Sequence, residues 1–166
     1  MPTHYRGAAT ERCALDALIK LTRARNAVTR ALQRELETAS RGITLSQFGI
    51  VEAILHLGPL CQKDLATKLL TSPANVTLLV DGLIRRDWVR RKRSTKDRRF
   101  STVHLTAHGR AEVARLFPGH AARVAELFAV LTRAEQETLG TLCRKLGRAA
   151  AGAPTAGPAE ASVRRS

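Results

Sequence analysis

Between Glu11 and Ala39 apolar side chains return at three- and four-residue steps, through Leu15, Leu18, Ile19, Val28, Leu32 and Leu36, with charged residues between them and no Gly or Pro. That period predicts a single helix over 11–39. At about 1.5 Å per residue it is a rod of roughly 43 Å, longer than a small domain covers by itself, so a partner chain is expected against it. Ser40-Arg41-Gly42 ends the run. Thr44-Leu45-Ser46-Gln47 then spells a capping box opening a second helix, with Phe48, Val51, Ile54 and Leu55 on one side and Gly58-Pro59 as its stop. A short helix from Gln62 to Leu70 follows, with Leu65, Ala66 and Leu69 inward.

After a turn at Thr71-Ser72, the next helix start is marked twice. Ser72 is the cap, and Pro73 takes the first helical position, where its missing N–H costs nothing. Val76, Leu79, Val80 and Leu83 form the seam, leaving Ala74, Asn75, Leu78, Asp81, Gly82 and Arg85 facing out. Two short helices joined by a tight turn, the second exposing small and polar residues, make a helix-turn-helix pattern, whose second helix enters a major groove. Trp88 to Arg93 and Arg99 to Leu105 alternate as two strands around a basic tip at 94–99, which predicts a hairpin wing. Helix resumes at Thr106-Ala107-His108-Gly109, is expected to break or kink at Pro118-Gly119, and continues from His120 to Leu131. Thr132-Arg133-Ala134-Glu135 is a second capping box, opening a last helix through Leu139, Leu142 and Leu146. The stretch 149–166, rich in Ala, Gly, Pro and Ser, reads as a disordered tail. The expected fold class is therefore mainly α with a small β-hairpin wing. A flexible lead (1–10) precedes a winged helix-turn-helix lobe (40–106), with helical segments 11–39 and 107–148 forming a dimerisation region.

Charge sharpens this picture. From Arg85 to Arg99 nine Lys/Arg face two acids, a net +7, which is half of the chain's formal +14. Such a cluster beside a well-marked helix start is the footprint of a nucleic-acid binder. Only six of the 166 residues are aromatic, too few to stack single-stranded bases on a sheet, so duplex DNA is the expected partner. No apolar run approaches the roughly 20 residues of a spanning helix, and no signal-peptide core follows Met1, so no membrane partner and a cytoplasmic place are expected. Cys13, Cys61 and Cys143 form neither a disulfide framework nor a metal spacing, and the five histidines are dispersed. No cofactor and no metal are expected. Paired carboxylates, a Gly-rich phosphate loop and a nucleophile elbow are all missing from the sequence, which disfavours an enzyme.

Ile43-Thr44-Leu45-Ser46-Gln47-Phe48, Leu69 to Thr77, Val80-Asp81-Gly82-Leu83, Asp97-Arg98-Arg99 and Leu105 to Arg110 resemble successive signatures of the MarR family of bacterial transcriptional regulators, in order and spacing over about 11–147. The resemblance implies a triangular homodimer, interlocked by the first and last helices, in which each chain carries a winged helix-turn-helix lobe. It further implies repression from a palindromic operator, with release by a small, often phenolic or aromatic acid, ligand or by an oxidant. The family's Asp-x-Arg wing motif falls on Asp97 and Arg99, the acid bracing an arginine that enters the minor groove. A narrow groove's negative potential would attract that arginine, and the bland alternative is a surface ion pair.

The residues expected at DNA are Ser72, Ala74, Asn75, Thr77 and Leu78 on the reading helix, with Arg85, Arg91, Arg93, Lys96, Asp97, Arg98 and Arg99 around the wing. Asn75 can pair with an adenine edge, while Ser72 and Thr77 can bond phosphate or base, or merely cap. Arg86 and Arg90 flank the groove. Cys61 stands where the family pattern has a serine cap. It is either a redox-sensitive thiol or a poorly capping, partly buried residue. Cys13 lies about two turns too early for the family's peroxide-sensing cysteine, and Tyr5 is the only tyrosine. By the same resemblance an effector cleft would lie between the first helix, the Thr44 helix and the lobe, near Thr22, Arg25 and His56, each equally a surface or dimer-interface position. A non-specific architectural DNA-binding protein is the alternative reading.

Overall fold

The computed structural model describes residues 5–40, 42–93 and 101–152. Its elements run α1 (Ala9–Ser40), α2 (Leu45–Leu57), β1 (Leu60–Cys61), α3 (Gln62–Lys68), α4 (Pro73–Arg85), β2 (Val89–Arg93), β3 (Ser101–Leu105), α5 (Ala107–Phe128) and α6 (Arg133–Gly152). The chain divides into a first unit ending at Ala125 and a second beginning at Glu126, a division that falls inside α5.

The first unit holds the core. Ile43, Phe48, Ile50, Val51, Leu65, Val76, Val80, Leu83, Val103 and Val113 are fully buried there. The helices start where their caps dictate. Thr44 and Gln47 close a reciprocal box at α2, with Gln47 N–H donating to Thr44 Oγ1 at 3.1 Å and Thr44 N–H donating to Gln47 Oε1 at 3.1 Å. The chain leaves α4 through Asp87 at φ +57, a left-handed position that Asp tolerates better than most side chains. It enters α5 through Thr106, whose hydroxyl accepts from Gly109 N–H at 2.9 Å. Gly109 is buried directly against the main chain of Trp88: a Cβ there would sit 1.9 Å from Trp88 O.

The expected hairpin is present as the antiparallel pair β2 and β3 and gains a third strand, and three other expectations are corrected. The wing belongs to a three-stranded antiparallel sheet of order β1-β3-β2, because Leu60 and Cys61 pair with Val103 and Thr102 on β3's other edge. The short helix ends at Lys68, and Leu70 takes the turn at φ +49 with its side chain exposed. Pro118 does not break α5, which runs unbroken from Ala107 to Phe128. Phe117 packs edge-on against His56, and His120 lies 4.8 Å from the Phe48 ring, so the helix is held on both sides of the proline. Finally, Gly82 is buried rather than outward, since the Gln47 amide lies over it: a Cβ at Gly82 would meet Gln47 Nε2 at 2.5 Å.

In the second unit, Thr132 and Glu135 form the expected box. Thr132 N–H donates to Glu135 Oε2 at 2.7 Å, and that backbone hydrogen bond holds the Glu135 carboxyl below its ordinary value. The helix it opens reaches Gly152, four residues into the stretch expected to be tail. No residue of α6 is buried within the chain; Leu139, Leu142 and Leu146 stand exposed along it.

Candidate nucleic-acid interface

The sequence around Ser72 builds a helix start with its polar groups outward. Ser72 Oγ accepts from Asn75 N–H at 3.2 Å, so the cap is made by the side chain best suited to it. Asn75 Nδ2 donates to Thr71 Oγ1 at 2.9 Å. That contact uses one of the amide's two hydrogens and leaves the other, with Oδ1, for a partner in front of the helix. Thr77 is half-buried, and its hydroxyl turns inward to donate to Pro73 O at 3.0 Å. Ala74 and Leu78 are exposed, Leu78 at 70%, so one apolar and one small side chain share the outward face with Asn75.

Strand order places β2 at the sheet edge, where a row of charges also discourages pairing with another chain. Of β2 only Val89 is buried; Arg90, Arg91, Lys92 and Arg93 are exposed. Arg91 Nη1 meets Asp81 Oδ1 at 2.7 Å, tying this strand to the middle of α4. The neighbouring His104 is held below its ordinary value, first by burial and then by the positive charge of Lys92 and Arg90. Arg85 is exposed at the end of α4, while Arg86 Nη2 donates to Gly42 O at 3.2 Å and so faces the end of α1. Lys96, Asp97, Arg98 and Arg99 lie outside the described residues.

The structure thus brings Ser72, Ala74, Asn75, Thr77 and Leu78 together on the first turns of α4 and links that helix to Arg91 through Asp81. Cys61 proves to be a working cap: its sulfur accepts from Asp64 N–H at 3.4 Å. A cavity of about 260 Å³ is lined by Arg25, Ser46, Leu69, Leu70, Thr71, Asn75 and Leu79; of the three residues expected near an effector cleft, Arg25 is in this lining and Thr22 and His56 are not. Sequence reasoning missed the hold of Thr71 on Asn75 and of Asp81 on Arg91. The first is signalled by an Asn three residues after the cap with a Thr four residues before it. The second joins residues ten apart through a turn, for which no local spacing exists.

Among the described residues no group of three or more His, Cys, Asp or Glu is placed to hold a metal, and no helix is long and apolar enough to cross a membrane. A family model, the MarR family, matches residues 43–100. The chain is 31% identical over 111 residues to the HTH-type transcriptional regulator YkoM of Bacillus subtilis (strain 168), covering 67% of this chain and 72% of that protein. Its fold is similar to that of Sco3205, a MarR family transcriptional regulator from Streptomyces coelicolor solved in complex with DNA, with a TM-score of 0.78, 23% identity, and 88% and 91% of the two chains covered. It is also similar to BpsR of Bordetella bronchiseptica, whose DNA binding is described as regulated by 6-hydroxynicotinic acid. There the TM-score is 0.72 at 24% identity, with 80% and 98% of the chains covered.

Proposed function

The chain belongs to the MarR family of winged-helix, DNA-binding transcriptional regulators, and from that premise we propose that it acts as a homodimer. In this reading the dimer occupies a pseudo-palindromic operator, represses transcription there, and is released by a small-molecule effector in the cytoplasm. The observation that carries the reading is the tie between the cationic edge strand and α4, Arg91 to Asp81 at 2.7 Å, on a helix whose first turn leaves Ser72 and Asn75 exposed. Asn75 and Ser72 lie at the front of the helix, and Arg90 to Arg93 beside it are exposed. Short polar side chains at a helix N-terminus let the backbone approach base edges, and the arginines neutralise flanking phosphates. Asn75 reads an adenine, while Ser72, Ala74, Thr77 and Leu78 shape the contact. Arg85, Arg91 and Arg93 supply phosphate contacts, and Lys96, Asp97, Arg98 and Arg99 form the minor-groove tip.

Dimerism is supported by apolar side chains that the single chain leaves in water. Leu18, Leu142 and Leu146 are 58%, 58% and 56% exposed, on helices whose polar faces are already solvated. Burying what remains exposed of such side chains between two chains is worth about 1–2 kcal/mol each. Effector control is supported by the described behaviour of BpsR toward an aromatic acid. Sedimentation of the free protein should give the mass of two chains, and footprinting should show a bounded, two-fold symmetric protected stretch. A monomer, or uniform protection as an architectural protein would give, sinks the proposal.

A further inference from the structure

The register of the sheet sorts the cations of β2 onto two faces. Partners across an antiparallel ladder share a face, and neighbours along a strand alternate. Val89, Arg91, Val103 and Leu105 therefore lie on the side that packs into the core, where Arg91 reaches Asp81 of α4. Arg90 and Lys92 stand on the outer side. There Arg90 is opposite His104 and Lys92 is opposite Thr102, which on its other edge is opposite Cys61 of β1. Thr102 and His104 are half-buried and joined, Thr102 Oγ1 to His104 Nε2 at 2.8 Å, while the two cations are exposed. The outer face thus presents an imidazole and a hydroxyl flanked by two positive side chains.

A groove of duplex DNA has a phosphate wall on either side, and a strand with cations on both faces can meet both walls. We propose that Arg90 and Lys92 make a second phosphate contact on the outer face of the sheet, and that His104 completes it, so that each chain takes up a proton from solvent at His104 as it binds DNA. In the free chain the imidazole is held below its ordinary value, first by burial and then by Lys92 and Arg90. A phosphate against those two side chains offsets their charge and accepts from a second imidazole N–H, which favours the protonated ring. When Nε2 gains the proton, the Thr102 hydroxyl turns from donor to acceptor, so one contact serves both states. α2 and α3 pack against β3 from the core side, and their Glu52, His56, Lys63, Asp64 and Lys68 are not among the groups that perturb His104; Cys61 is the titratable group on β1. The choice of partner rests on the DNA-binding reading above, while the outer row of contacts and the proton go beyond it.

A phosphate contact needs no particular sequence, so a fluorescent duplex of random sequence is the probe, titrated with the full-length protein at constant ionic strength. Anisotropy should show affinity rising at least about threefold between about pH 7.5 and pH 6. His104→Gln should remove most of that rise, whereas His56→Gln should keep it. His104→Arg carries the charge permanently. It should bind at the higher pH about as tightly as the parent does at the lower, with little further response. Arg90→Gln and Lys92→Gln should each lower the slope of log affinity against log salt concentration by about 0.9. An imidazole NMR titration of the unsubstituted protein should show His104 gaining its proton at higher pH with DNA than without.

The same pH response in the parent and in His104→Gln overturns the proton uptake, as does an NMR titration of His104 that DNA leaves unmoved. Salt slopes that stay at the parent's value in both Arg90→Gln and Lys92→Gln overturn the second contact. Weakened binding at every pH in His104→Arg as well as in His104→Gln would reduce His104 to a part of the sheet's packing. Because the duplex has no chosen sequence, failure to find an operator leaves these arms readable, and their failure leaves the sequence-reading proposal standing.

Discussion

Gly109 is where the start of α5 closes onto the chain leaving α4, and replacing it by alanine tests how tightly that junction is built. A methyl group there would lie 1.9 Å from Trp88 O, against an ordinary contact beginning near 3.4 Å, so about 1.5 Å of movement is required. The obstacle is main chain, and it is pinned: Trp88 O accepts from Thr106 N–H at 3.0 Å. Forcing the two apart should cost about 1–3 kcal/mol in overpacking and about 1 kcal/mol in a weakened hydrogen bond. The reduced freedom of the unfolded chain returns about 0.4–1 kcal/mol. Gly109→Ala should therefore destabilise by about 2–3 kcal/mol, lowering Tm by on the order of 5–10 °C. Gly140 on α6 is the control, since a Cβ there meets nothing within 4 Å. Gly140→Ala should be neutral or stabilise by up to about 1 kcal/mol. Urea unfolding followed by circular dichroism, at one protein concentration, measures both. A Gly109→Ala protein within about 0.5 kcal/mol of the parent would refute the reasoning.

Further outcomes follow from single contacts. Thr44→Ala removes the cap that Gln47 N–H uses at 3.1 Å and should cost about 1 kcal/mol; no change in urea midpoint would mean that the box is redundant. Asp81→Asn should change stability by no more than about 1 kcal/mol, because the Arg91 pair is partly solvated. It should nonetheless weaken DNA binding by anisotropy, and unaltered affinity would deny the pair a positioning role. His104 is harder to protonate in the folded chain than its ordinary 6.5, owing first to burial and then to Lys92 and Arg90. The unfolded chain thus takes up the proton first on acidification, so this contribution to stability is complete above about pH 6.5 and is lost as pH falls below it. His104→Gln should flatten the fall in Tm between about pH 7 and 5, and an identical fall in both proteins would contradict the assignment.

Most of the lobe was legible because its signals are local. The boxes at Thr44 and Thr132, and Ser72 followed by Pro73, are spacings of three residues or fewer that report one helix start each. The seam of α4 showed in the period of Val76, Val80 and Leu83, although Leu79 is only half-buried. What could not be read depends on distant partners. The strand at Leu60 and Cys61 is two residues long and exists only because β3 offers its second edge. Gly82 looked outward on the helical wheel, yet Gln47 from another helix covers it. Pro118 looked like a break, but His56 and Phe48 grip the residues beside it. Of the candidate site, the front of α4 was legible as a helix start, whereas the internal holds on Asn75 and Arg91 appear only in three dimensions.

The central claim is that the first turn of α4, doubled by a partner chain, reads a particular sequence in duplex DNA. Selection of bound fragments from a random duplex library, with the parent protein and with Asn75→Ala in parallel, measures that directly. The parent should enrich one pseudo-palindrome whose half-sites lie about one helical turn, roughly 34 Å, apart. Asn75→Ala should lose preference at one symmetric base position, at a cost of about 1–3 kcal/mol. A library that returns no motif, or the same motif from both proteins, would contradict the account.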